Sequence, residues 1–281
     1  MSAPDAPEPV HRVLVMGIVN VTPDSFSDGG QYLDAGAAVA HGLQLLRDGA
    51  DLLDVGGEAT SPRATPVTAD EELRRVLPVV EALVAAGATV SIDTTKAIVA
   101  RAAVAAGARI INDVSGGLFD PDMADAIGDA TSIAGHLRGR SIAEVFGAER
   151  VAAEAPGARP LDWQTVADEL ADRLAALPAA ARNRACVDPG LGFGKGADPA
   201  ANLALIRHSG DLGARLGRPV VVGPSRKRFV RRAFGVRDDD VTALDAASVS
   251  ASLAAVAAGA NVVRVHNVAL LRAAIALYTK Q

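Results

Sequence analysis

Cysteine is nearly missing: Cys186 is the one thiol in 281 residues. A single thiol excludes an intramolecular disulfide and points to a reducing, cytoplasmic setting. Within a short apolar segment it reads as a small buried strand residue. Uninterrupted apolar runs of about 18 residues are also missing, which argues against a membrane-spanning helix. The nearest approach, Ala243–Ala260, is broken by Asp245 and by Ser248, Ser250 and Ser252. Asp5, Pro7, Glu8 and Pro9 stand where a signal peptide would need apolar residues, so no secretion signal is expected. Net charge is −5 without a basic block, which argues against a nucleic-acid partner. One local cluster, Arg226, Lys227, Arg228, Arg231 and Arg232, runs against that balance. The sequence has neither a Cys/His cluster nor a Gly-x-Ser-x-Gly motif, so nothing suggests a Cys/His metal centre or a covalent nucleophile. Aromatic residues are only 3%, so each one stands out. Phe26 and Phe193 lie inside polar motifs, whereas Trp163 opens a helical segment and reads as packing.

What is present is alternation. Short apolar runs near Val13–Val19, Asp51–Val55, Thr89–Asp93, Arg109–Asp113, Ala130–His136, Ala185–Asp188, Pro219–Gly223 and Asn261–His266 read as parallel strands covered on both faces. Helical segments fall between them: Ala35–Asp48, Ala69–Ala86, Lys96–Ala106, Pro121–Gly128, Asp162–Leu177, Ala200–Leu216, Leu244–Ala258 and Val268–Tyr278. Gly49, Gly87, Gly107, Gly217 and Gly259 each precede a strand and suit left-handed helix caps. Arg140–Pro160 lacks periodicity and reads as a long loop. This succession predicts an α/β chain folded as a single (β/α)8 TIM barrel over residues 12–281, behind a flexible tail at 1–11; such barrels need about 250 residues.

In that fold the strand ends converge on one face. Asp93, Asn112 and Asp188 end three different strands, and carboxylates with an amide suit a planar, donor-rich heterocycle. Lys227 follows strand seven, and Arg264 and His266 close strand eight. Two cations with a neutral or charged imidazole suit a phosphate or pyrophosphate. Asn20 ends strand one and offers an oxygen to Mg²⁺, a hard cation that leans on substrate phosphates. Ser25–Gly30 reads as a closing loop, and Phe193, between Gly192 and Gly194, as a mobile aromatic wall. A heterocycle pocket beside an anion site suits ionisation of a diphosphate ester and capture of a second substrate.

The run Asn20-Val21-Thr22-Pro23-Asp24-Ser25-Phe26-Ser27-Asp28-Gly29-Gly30, together with Ser225-Arg226-Lys227, resembles bacterial dihydropteroate synthases, and actinobacterial members most of all. The motifs span about residues 14–278 in the family's order. The resemblance implies that 6-hydroxymethyl-7,8-dihydropterin diphosphate loses pyrophosphate and is captured by 4-aminobenzoate, giving 7,8-dihydropteroate. It implies pterin binding by Asp93, Asn112, Asp188 and Lys227, with Asp93, Asp188 and Lys227 as the catalytic set. It implies diphosphate and Mg²⁺ binding by Asn20, Arg264 and His266. It assigns the aminobenzoate site to Phe26, Thr60, Pro62, Phe193, Ser225 and Lys227, a site that sulfonamides would mimic their way into, and it implies a homodimer through the last helices.

The sequence departs from the family pattern near the pocket. Glu58-Ala59-Thr60-Ser61-Pro62-Arg63 replaces Glu-Ser-Thr-Arg-Pro-Gly, so Ser61 stands where a phosphate-binding Arg is usual and Arg63 is the candidate replacement. Asn267 stands for the Asp after the strand-eight His, which weakens the pull toward imidazolium at His266. Gly135 replaces a Met and is expected to open space by the pterin, and Gly196 replaces a frequent Thr. These changes keep two alternatives in play: a diverged paralogue joining a related aryl amine or electrophile, and a non-catalytic pterin-binding homologue.

Overall fold

A computed structural model describes residues 12–22, 31–60, 65–147, 161–195 and 199–279. Its strands are β1 (Leu14–Asn20), β2 (Leu52–Gly56), β3 (Val90–Asp93), β4 (Ile110–Asp113), β5 (Thr131–Gly135), β6 (Cys186–Asp188), β7 (Val221–Val222) and β8 (Val262–Val265). They form one parallel sheet in the order β6-β5-β4-β3-β2-β1-β8-β7. A parallel bridge between Val187 and Val220 joins the two ends, so the sheet closes on itself. The architecture is the (β/α)8 barrel.

The strands do alternate, which their apolar composition hides. Leu14, Met16, Leu52, Ile110, Ile133, Cys186, Val221 and Val262 cluster inside the barrel at its lower end. Val15, Val19, Leu53, Val55, Val90, Ile92, Ile111, Val263 and Val265 point the other way, into the layer shared with the helices. Both directions are apolar at the bottom, so the strands read as continuous apolar runs. Two residues further along, the inward positions turn polar: Asp54 above Leu52, Asn112 above Ile110, Asp188 above Cys186 and Arg264 above Val262.

Helices span Gln31–Arg47, Ala69–Ala85, Ala97–Ala105, Met123–Ala126, Trp163–Ala176, Val241–Ala257 and Val268–Tyr278, close to their expected places. The expected helix Ala200–Leu216 is two, Pro199–Arg207 and Ser209–Leu216, and short helices Ala179–Arg184 and Arg228–Ala233 were not foreseen. The expected loop from Arg140 begins with a helical turn at 142–147, and 148–160 lie outside the described residues. All five expected capping glycines have positive φ. Trp163 stacks on His208 with ring centroids 5.2 Å apart, a packing role. Cys186 is half-buried, and burial raises its thiol pKa. Among the described residues, no helix is long and apolar enough to cross a membrane.

Candidate active site

Register brings the polar strand ends together. Gly56 pairs with Asp93, Asp93 with Asn112, and Gly135 with Asp188. Arg264 reaches from β8 to the carboxylates of β2 and β3, with Nε 2.5 Å from Asp54 Oδ2 and Nη2 2.7 Å from Asp93 Oδ2. Asn112 Nδ2 donates to the same Asp54 Oδ2 at 2.9 Å. Asp54 is fully buried, and its Oδ1 has no hydrogen-bond partner. A buried carboxylate without a counter-ion is costly, and the Arg264 guanidinium is the counter-ion that both carboxylates share. Burial pushes the Asp93 carboxyl up to about 7, against the lowering pull of Arg264 and with the help of Asp54. Arg264 itself rises, because Asp54 and Asp93 outweigh the cost of burying it.

The opposite rim is built by the turns after β6 and β7. Asp188 Oδ1 accepts from the Gly190 amide at 2.7 Å. Gly190 sits at φ 69, and a Cβ there would lie 1.8 Å from the His136 carbonyl oxygen, so this close turn requires glycine. Lys227 Nζ donates to the Leu191 carbonyl and lies 4.6 Å from the centroid of the Phe193 ring. Burial and Arg264 draw Lys227 down to about 8 against the pull of Asp188 and Asp93. Phe193 is buried against Leu137, Val145 and Phe146.

Ser225 and His266 meet. The Ser225 hydroxyl accepts from the His266 amide at 3.2 Å and lies 2.9 Å from Nδ1. Burial, with Arg226 and Arg264 nearby, lowers His266 to about 3, against the raising pull of Asp245. The imidazole is therefore neutral, and its Nδ1 shares one hydrogen bond with the Ser225 hydroxyl. Asn267 caps the last helix through Oδ1, which accepts from Leu270 N at 3.1 Å.

Asn20 stands exposed at the end of β1, and Thr60 is half-buried beyond Glu58. Phe26, Ser61, Pro62, Arg63 and Gly196 lie outside the described residues. Among the described residues, no group of three His, Cys, Asp or Glu could hold a metal ion. Asn20 offers a neutral oxygen to a hard cation. The space expected at Gly135 is filled: a Cβ there would lie 2.5 Å from the backbone of Val114, so no side chain fits and none has been vacated.

Some structured groups were not foreseen. Asp54 is one, although a lone acid inside the apolar strand Asp51–Val55 already demands a partner. Lys96 Nζ bridges Glu58 and the fully buried Glu72, each at 2.5 Å, tying the turns after β2 and β3 to one helix. Buried His136 lies between Lys195 Nζ at 2.9 Å and Glu169 at 3.0 Å. Burial and the Lys195 charge lower it to about 2, so this imidazole is also neutral. Lys195 donates to the Phe193 carbonyl at 2.8 Å and so braces the aromatic wall from behind. A cavity of 630 Å³ runs along the segments after β2, β3, β4 and β5, lined by Glu58, Lys96, Phe119, Arg140 and Phe146 among others. Another, of 440 Å³, lies outside the barrel between Ile111, Met123 and Arg173, and none of the candidate residues lines it.

A family model for pterin binding enzymes matches residues 16–266. The dihydropteroate synthase of Mycobacterium leprae is 44% identical over 266 residues, covering 91% of this chain and 89% of that protein. The structure of Xanthomonas albilineans dihydropteroate synthase with 4-aminobenzoic acid has a TM-score of 0.81 at 43% identity, covering 96% of this chain and 93% of that one. The same enzyme in complex with 7,8-dihydropteroate gives 0.80 at 41%, covering 97% and 95%. The chain belongs to the pterin-binding enzyme family, among the dihydropteroate synthases.

Proposed function

We propose that the chain condenses 6-hydroxymethyl-7,8-dihydropterin diphosphate with 4-aminobenzoate, releasing pyrophosphate and forming 7,8-dihydropteroate. The observation that carries this reading is the buried layer in which Arg264 joins Asp54 and Asp93 while Asn112 donates to Asp54. It offers fixed acceptors and a donor to a flat heterocycle, inside a chain whose relatives of known structure hold 4-aminobenzoic acid and 7,8-dihydropteroate.

In the reaction the exocyclic C–O bond breaks and its electron pair leaves with pyrophosphate. The aryl amine nitrogen then bonds to the exocyclic carbon and sheds a proton. Asp93 and Asp188 bind the pterin and stabilise positive charge as it builds on the ring. Arg264 holds Asp93 in place and, with neutral His266 as a hydrogen-bonding group, faces the departing diphosphate. Lys227 lies over Phe193 and closes the aminobenzoate side together with Ser225. Asn20 would help to hold Mg²⁺, which would supply charge neutralisation for the diphosphate. A second copy of the chain fits the last helices, where Val241, Leu270, Leu277 and Tyr278 are exposed. A cytoplasmic setting suits the lone thiol.

The test is turnover of the purified chain with both substrates. Equal amounts of pyrophosphate and 7,8-dihydropteroate are expected. Pterin binding without either product would contradict the reading and favour the non-catalytic homologue.

A further inference from the structure

Arg226 is the one non-glycine with positive φ among the described residues, at 57. That conformation crowds Cβ against the backbone and persists only where the surroundings impose it. The helix Val241–Ala257 supplies the constraint. Ser248 Oγ accepts from the Arg226 amide at 2.9 Å while donating to the Leu244 carbonyl at 2.6 Å. Asp245, one turn earlier on the same helix face, takes the guanidinium in two parallel bonds, Nε to Oδ1 at 2.7 Å and Nη2 to Oδ2 at 3.0 Å. Asn267 Nδ2 donates to Asp245 Oδ2 at 3.2 Å.

The two neighbours of Arg226 are the ones that meet the site. Ser225 bonds to His266, and Lys227 lies over Phe193. The left-handed residue between them turns both inward. We propose that Asp245 is a positioning residue for the Ser225–Lys227 turn, supplying from the flanking helix the carboxylate that position 267 lacks. The amide at 267 is matched to it: Oδ1 caps the last helix and Nδ2 donates to Asp245. An Asp at 267 beside Asp245 would set two carboxylate oxygens about 3 Å apart. This inference rests on the proposed reaction for its kinetic readout, and on hydrogen bonding alone for its spectroscopic one.

The experiment compares Asp245→Asn, Asn267→Asp and the swapped double variant. Each single change is expected to lower kcat/KM by about tenfold or more, as a displaced turn does, and to change the ¹⁵N shift of His266 Nδ1. The swap is expected to recover kcat/KM to within about threefold and to restore that shift. Wild-type kcat/KM and an unaltered ring signal in Asp245→Asn would overturn the proposal, as would a swap no better than either single change. Glycine adopts positive φ unaided. In an Arg226→Gly background, Asp245→Asn is therefore expected to cost less than about twofold, and an undiminished loss there would contradict the role. That arm serves if Asp245→Asn alone does not fold. Should the wild type make no dihydropteroate, the reaction assignment falls, yet the His266 signal still decides the part played by Asp245.

Discussion

The layer beneath the pocket and the turn above it hold their charges by different means. Asp54, Asn112 and Arg264 sit on strands two residues above apolar residues, and Asp93 two above the buried Ser91; strand register brings them together. Ser225, Arg226 and Lys227 sit on a turn after the two-residue strand β7 and depend on side chains from a helix. The first region is fixed by the barrel's own geometry. The second is fixed by a few hydrogen bonds that a single substitution can remove. Buried charge in the strand layer should therefore govern stability and pterin binding together, whereas the turn should govern catalysis with little effect on folding.

The strongest way to break the strand layer is Arg264→Leu. It leaves Asp54 and Asp93 buried without a counter-ion, and a destabilisation of about 3–5 kcal/mol is expected at pH 8 by denaturant unfolding. The cost should shrink toward pH 5, because Asp93, already raised to about 7 in the folded wild type, takes up a proton there. A loss that is the same at both pH values would argue that the pair is not what holds this layer.

The pH profile of kcat/KM sharpens the comparison, since it reports the free enzyme. Asp93 loses its acceptor character as pH falls through about 7, and Lys227 loses its charge as pH rises through about 8. A bell is expected, falling about tenfold per unit on each limb. A flat profile between pH 6 and 9 would show that neither group titrates in the working site. The smallest expected effect belongs to the turn: Ser225→Ala removes two neutral hydrogen bonds to His266 and should raise the KM for 4-aminobenzoate by about threefold to tenfold. Unchanged KM with a lowered melting temperature would assign Ser225 to the scaffold instead.

The same contrast explains what was legible in the sequence. Asp93, Asn112 and Asp188 were readable because a strand's end marks its inward residue, and alternation in the apolar runs needed only Leu52–Asp54 or Ile110–Asn112 to be seen two apart. Asp245 was not readable. It interrupts an Ala-rich helix like any solvated acid, and only the fold sets Arg226 against it. Gly135 misled for a similar reason: the missing side chain suggested room, but the Val114 backbone crosses there. Helix Ala200–Leu216 read as continuous because Ser209, at the start of its second half, is a tolerated helix residue; its hydroxyl bonds back to the Ile206 carbonyl at 2.9 Å.

The central claim is that the strand ends form the pterin pocket, and Asp93 tests it most directly. Calorimetric titration of 6-hydroxymethyl-7,8-dihydropterin into the folded Asp93→Ala protein should show no binding, where the wild type binds one equivalent per chain. Binding to Asp93→Ala as tight as to the wild type would place the pterin elsewhere and contradict the account.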